Sequence, residues 1–358
     1  MKLPSIIIAA TSLCSSTLAT NVTILRPNEP FVPNDTLPPS HADSDGGSIL
    51  QHFANLGRST EWKLISKTHF EGDTGEPEGI VRFGDDRYIV SSGVYTVATK
   101  TYAHEINGTD RTPGAGYAHM LLYDGKGRLI ANATMTPPGD IEYHTGGIDY
   151  DGRYIWDAIA QYRPNTTATI ARIDPFTLQK EDLFRVRDHN GGIVHDTITD
   201  DLVTLNWGSR NATTWSLKDY PQAFTPLPGF TEPRSNVPNP TFFVDYQDCK
   251  FLGHHPLPSS MIARVGGHSD TFSATRAIMF CGGVATLDYP SSSVDLGGIA
   301  LIDLQTMLPL WEVPITLTSD LGVSMTENPI DIAVVDGKLK IYCLPDRHNS
   351  TLYVYEAA

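Results

Sequence analysis

The stretches YHTGGID (residues 143–149) and DHNGGIV (residues 188–194) write His-x-Gly-Gly-Ile twice, with the histidines 45 positions apart. Imidazole is the side chain whose ordinary pKa lies closest to neutrality, so two of them beside carboxylates can give and take protons within one reaction. The paired glycines let the backbone turn tightly next to each ring. The chemistry then depends on whether His144 and His189 are brought to one place.

The spacing is that of a small antiparallel unit. EGIVRFGDDRYIV from Glu78, GGIDYDGRYIW from Gly146 and PIDIAVVDGKLKI from Pro329 each read as an apolar strand, an Asp/Gly turn, a basic residue and a second strand. Asp-Gly turns favour tight hairpins that match strand twist. Strands over 147–150 and 153–161, then TATIARID and a last strand near 178–186, make one four-stranded meander. Five such units have innermost strands beginning near Gly79, Gly147, Gly192, Val244 and Ile330. One meander buries a single face, so the copies must pack on each other, and radial packing makes a β-propeller.

The expectation is therefore an all-β, five-bladed propeller. Six blades is the alternative, because 253–276 has room for another strand pair. The last unit supplies only three strands, and EWKLISKTHF (61–70) is expected to complete it, pinning the chain ends together. Helical periodicity is missing over any useful length. Residues 20–60, rich in Pro, Asn, Asp and Ser, read as an irregular leader on the surface, and 61–358 as the single propeller domain.

Residues that enter each innermost strand ring the channel of a propeller. His144 and His189 hold equivalent places in neighbouring units, so both should face the axis. The first unit adds Glu76 and Glu78, the fourth Tyr246, Gln247 and Asp248, the fifth Glu327, Asn328 and Asp331. A protonated histidine can donate to a leaving group. Tyr143, Trp156, Tyr162 and Trp207 can wall an apolar ligand, and Arg163 and Arg210 can bind an anionic oxygen. The insertion 253–276, with His254, His255 and His268, reads as a flap over one face. The same aromatics would also serve as blade-to-blade core, and either histidine alone could simply tie a backbone carbonyl. Calcium would draw on Glu78, Asp149, Gln247, Asp248, Asn328 and Asp331. The entry loops lack the Asn/Asp set expected of calcium-dependent propeller lactonases, although EPEG (76–79) loosely resembles their Glu-Gly motif. A serine triad finds no G-x-S-x-G, and zinc on the two histidines finds no third ligand. No cofactor or metal is expected.

The net charge of −15, with no Lys/Arg run, argues against nucleic acid and anionic lipid as partners. Residues 1–19 read as a secretory signal cleaved after Ala19, and no later stretch is apolar for 18 residues, so no membrane insertion is expected. Seven sequons, at Asn21, Asn34, Asn107, Asn132, Asn165, Asn211 and Asn349, suggest a glycosylated protein of the secretory pathway with these residues on exposed loops. Cys249 ends the innermost strand of unit four and Cys281 lies in the next strand, so the two are expected to bridge, leaving Cys343 in LKIYCL as a buried thiol. The oligomeric state is left open.

HTGGIDYDGRYIW, AQYRPN, ARIDP, RDHNGGIVHD, NWGSRN, YQDCKFLG and GGIALIDL resemble a family of fungal secreted propeller proteins from Trp62 to the C-terminus. That family includes the hetero-Diels–Alderases of tropolonic sesquiterpenoid biosynthesis. The resemblance implies a cyclase with small apolar and tropolone substrates. A hydroxymethyl tropolone loses water to give a quinone-methide-like heterodiene, which adds across a strained alkene of a humulene-type macrocycle. Two other classes stand beside it: a propeller lactonase or esterase, and a secreted glycan-binding module in which the axial histidines are structural.

Overall fold

The computed structural model describes residues 20–358 apart from 219, 223, 241–242, 265–274 and 290–291, so the expected signal segment and His268 lie outside the described residues. Antiparallel meanders form five blades of a β-propeller. Blade 1 runs Glu76–Phe83, Arg87–Val97, Ala115–Asp124 and Leu129–Thr134. Blade 2 runs Asp149–Tyr150, Ile155–Ala160, Ala168–Ile173 and Lys180–Val186, with His144–Thr145 also pairing on the second strand. Blade 3 runs Asn190–Asp196, Asp201–Asn206, Asn211–Ser216 and Ser235–Pro238. Blade 4 runs Asp245–His255, Arg276–Tyr289, Ser292–Asp303 and Pro309–Ile315. Blade 5 runs Ile330–Val335, Lys338–Cys343 and Thr351–Ala357, and Trp62–His69 pairs with the last of these to close the ring as expected.

Both faces of a blade are covered by its neighbours, which is why strands such as Ile155–Ala160 are buried along their whole length. The apolar side chains fall into five clusters that match the five blade interfaces. Val81, Phe83 and Ile89 meet Ile148, Ile155 and Ile173 between blades 1 and 2. Ile80, Val90 and Leu121 meet Tyr342 and Val354 where blade 1 meets blade 5. Each interface removes apolar surface from water, and this holds a ring of otherwise unstable meanders together.

The repeated glycines act at the hub. A Cβ at Gly146 would lie 1.9 Å from the Gly191 carbonyl oxygen, and Gly147 N–H donates to that oxygen at 2.8 Å. The two His-x-Gly-Gly copies thus pack backbone against backbone, and only glycine permits the approach.

The leader departs from the irregular expectation. Asn21–Ile24 adds a fifth strand to the outer edge of blade 1. Gly46–Phe53 forms an α-helix that buries Ile49, Leu50 and Phe53 against blades 4 and 5. Residues 265–274 of the insertion 253–276, on which the flap expected over one face depends, lie outside the described residues. The described part of the insertion continues the far end of the Asp245–His255 strand into a short helix, Ser259–Arg264, on the side of helix Gly46–Phe53. Among the described residues, no helix is long and apolar enough to cross a membrane.

Cys249 and Cys281 stand opposite each other in register with Cα atoms 4.2 Å apart and form the disulfide, and Cys343 is buried and free. The sequons divide. Asn21, Asn34, Asn107, Asn165 and Asn349 are exposed, whereas Asn132 and Asn211 lie half-buried in strands. Asn132 pairs with Thr23 on one side and Leu121 on the other, and its side-chain oxygen is buried. A glycan there would displace the edge strand, so glycopeptide mapping after expression in a glycosylating host should find Asn132 empty even where the exposed sequons are filled.

Candidate functional site

One end of the channel opens in a cavity of about 240 Å³. Glu76 and Glu78 enter it from blade 1, His144 and Tyr162 from blade 2, His189 and Trp207 from blade 3, Gln247 from blade 4, and Glu327, Asn328 and Arg347 from blade 5. The imidazoles of His144 and His189 stack with centroids 5.4 Å apart and planes 28° from parallel. Equivalent positions in neighbouring blades do converge.

The two rings are held differently. His189 Nδ1 donates to the Gln161 carbonyl at 2.7 Å, which fixes the tautomer and leaves Nε2 as an acceptor. Arg163 donates to Gln161 Oε1 at 2.7 Å instead of binding a ligand, and so braces this loop. His144 Nδ1 lies 3.9 Å from Glu78 Oε1, too far for a direct hydrogen bond. Its other contacts are aromatic: Tyr162 packs on it at 4.8 Å, and Trp207 meets Tyr162 at 5.4 Å and His189 at 4.9 Å.

Burial raises the Glu78 carboxyl well above the usual carboxylate range, and Glu76 pushes it further against the pull of Arg347. Burial lowers both imidazoles. His144 falls well below its ordinary value, helped by His189 and Arg347, and His189 falls to about 4 although its bond to Gln161 opposes this. The proton donor expected from the sequence was a protonated histidine. Desolvation favours the neutral form of all three groups, which disfavours a protonated histidine and favours a protonated Glu78.

Arg347 pairs with Glu76 at 2.8 Å and reaches Glu327 at 3.5 Å, yet stays half exposed at the opening. Two buried polar atoms on the wall lack partners: Glu76 Oε2, an acceptor, and Asn328 Nδ2, a donor. A ligand carrying both a hydroxyl and a carbonyl oxygen would satisfy them.

A protein-family profile matches residues 40–273 and 266–358, and its description reads "Family of unknown function (DUF6454)". The chain belongs to the DUF6454 family. No curated protein matches the DUF6454 chain. Among solved structures, a luciferin-regenerating enzyme is similar over 83% of this chain and 95% of its own, at 10% identity and a TM-score of 0.39. YCF48 bound to a D1 peptide is similar over 82% and 99%, at 11% identity and a TM-score of 0.34.

The DUF6454 site keeps some sequence candidates and displaces others. Glu78, His144, His189, Tyr162, Trp207 and Gln247 all border the cavity. Tyr143 stands one layer behind, its hydroxyl on the Pro113 carbonyl and its ring edge-on to Tyr95. Trp156 turns to the interface of blades 2 and 3, donating to Asp151 and packing on His195. Arg210 pairs with Asp245 on the rim. Asp248 is fully buried below the floor, paired with Lys250.

Asp331 reaches the opposite end of the channel, where His41 bridges Asp45 at 2.7 Å and Asp331 at 3.0 Å. Burial alone would depress the His41 imidazole, but the two carboxylates outweigh it and raise it to about 10. A folded-state pKa above the ordinary 6.5 stabilises the fold fully below pH 6.5, and that contribution is lost as pH rises toward 10. Urea midpoints should therefore fall between pH 6.5 and 10, and His41→Gln should flatten that slope.

The sequence reading passed over Arg347, Arg111 and Tyr95. Arg111 lies 4.8 Å above the Trp207 ring and 5.2 Å above Tyr162, and Tyr95 meets Tyr162 at 5.8 Å. Together with Tyr162 and Trp207 they lie on or beside connections between the second and third strands of their blades. In a meander those connections return to the same face as the entry loops, a topological signal that was available.

Proposed function

We propose that the axial mouth is an acid–base centre for a small oxygenated substrate, and that its reaction is the cyclase chemistry implied by the tropolonic hetero-Diels–Alderases. The observation that carries this reading is geometric: Glu78, His144 and His189 converge in one buried cavity, where burial favours the neutral form of each. A neutral acid beside a neutral base can move two protons in opposite directions without first creating charge.

For a hydroxymethyl tropolone the steps balance. Glu78 gives its proton to the hydroxymethyl oxygen, the carbon–oxygen bond breaks, and water leaves. His144 or His189 takes the proton of the ring hydroxyl, and the electrons close to a neutral quinone methide. Proton return from histidine to Glu78 resets the site. Cycloaddition then needs no further proton transfer, only two partners held in register, and positioning supplies up to about 7–11 kcal/mol in favourable cases. The cavity is smaller than the roughly 300–1,000 Å³ usual for drug-sized ligands. It suits the single-ring partner inside, with the macrocycle lying across the opening beside Tyr162 and Trp207.

The calcium-dependent lactonase reading is less well supported. Of its six candidate oxygen donors only Glu78, Gln247 and Asn328 border the mouth, while Asp149, Asp248 and Asp331 are committed elsewhere. The test is incubation with a hydroxymethyl tropolone and a humulene-type alkene, followed by chromatography of the cyclic ether. Saturable acceleration over buffer is expected, and a rate equal to buffer at high protein concentration rejects the cyclase.

A further inference from the structure

We propose that the cavity at the other end of the channel binds a compact oxyanion, a small molecule bearing a carboxylate or phosphate. This cavity of about 300 Å³ lies between leader residues, including Pro38, and the inner strands of blades 1, 2, 4 and 5. Its hydrogen-bonding inventory is one-sided.

Both oxygens of Asp149 and of Asp45, and Oδ1 of Asp331, are committed. The two oxygens of Asp149 take the backbone N–H groups of His195 and Phe251, at 3.1 and 3.3 Å. Asp331 Oδ1 takes His41 and the Ile332 N–H, and Asp45 takes His41 and the Val334 N–H. The cations keep unused donors. The Arg82 side chain is 6% exposed, stacks 3.5 Å over the Tyr342 ring and gives Nη2 to Asp85 at 2.8 Å, yet its buried Nε has no partner. Lys250 spends two of its three protons, on the Ile148 carbonyl and on Asp248. What these groups leave open is an acceptor with negative charge. Asp149 and Asp331 on the same wall favour a compact ion over a polyanion. The inference is independent of the chemistry proposed for the mouth.

The test is a melting-temperature titration of the whole protein with inorganic phosphate and with acetate, at ionic strength held constant with potassium chloride. At least one of them should raise the midpoint saturably, phosphate alone assigning the site to phosphates and acetate alone to carboxylates. Arg82→Lys keeps the charge but moves the donor, and should weaken that response about tenfold or more. Arg82→Gln should abolish it; should that variant not fold, the wild-type and Arg82→Lys titrations still decide. The proposal is overturned by no saturable shift from either ion, or by an unchanged response in Arg82→Lys.

Discussion

Glu78→Gln should lower turnover by about 10²–10⁴-fold, the usual contribution of a positioned proton donor. Glutamine keeps the size of the side chain and one hydrogen-bond donor, so the fold and the stacked imidazoles should persist. What it cannot do is release a proton. The pH profile separates this from a packing effect. The proposed mechanism needs Glu78 protonated and the histidines neutral. Its rate should rise through an acid limb near the depressed imidazole values, with His189 at about 4, and fall through an alkaline limb set by the raised Glu78 carboxyl. Glu78→Gln should lose the alkaline limb along with the rate. Full turnover in a folded Glu78→Gln protein would remove the acid from the mechanism, and retention of the alkaline limb would move it to another group.

The sequence carried the ring well because three of its blades repeat the same local pattern of apolar strand, Asp/Gly turn and returning strand. Asp151-Gly152 and Asp336-Gly337 mark turns between first and second strands, and the missing fourth strand of the last unit pointed to Trp62–His69. The stacking of His144 and His189 follows from the same repeat. Height along the channel was not legible. Each residue of an inner strand lies about 3.3 Å further along it, so Asp331, only one position into its strand, already serves the far cavity while Glu78 serves the mouth. A repeat assigns blade and phase; depth depends on how each strand tilts and where its bulges fall, as between Pro77 and Gly79. Depth also fixes desolvation, which favours a protonated Glu78 and neutral imidazoles where the sequence suggested a protonated histidine as donor. The helix Gly46–Phe53 escaped for a different reason, since eight residues give too few turns for a 3.6-residue period to stand out.

Asp248→Ala should cost about 3–5 kcal/mol of stability, the effect of removing one member of a buried ion pair. Asp248 sits between the two cavities and joins three blades. Its Oδ2 accepts the backbone N–H groups of Ile80 and Ile330, at 3.1 and 3.2 Å, and its Oδ1 takes Lys250 Nζ at 2.5 Å. Alanine would strand two buried N–H groups and an ammonium whose side chain is only 2% exposed. Guanidinium midpoints followed by tryptophan fluorescence and by circular dichroism should drop together. The pair itself is a poor stabiliser, because burial lifts the Asp248 carboxyl to about 7 even with Lys250 beside it. A folded value above the ordinary carboxylate range means that ionised Asp248 costs stability as pH rises from about 4 toward 7. Asp248→Asn with Lys250→Met should therefore lose less than Asp248→Ala alone, since the amide still serves one backbone group and no charge is left buried. If the double variant is the less stable, attraction within the pair outweighs its desolvation.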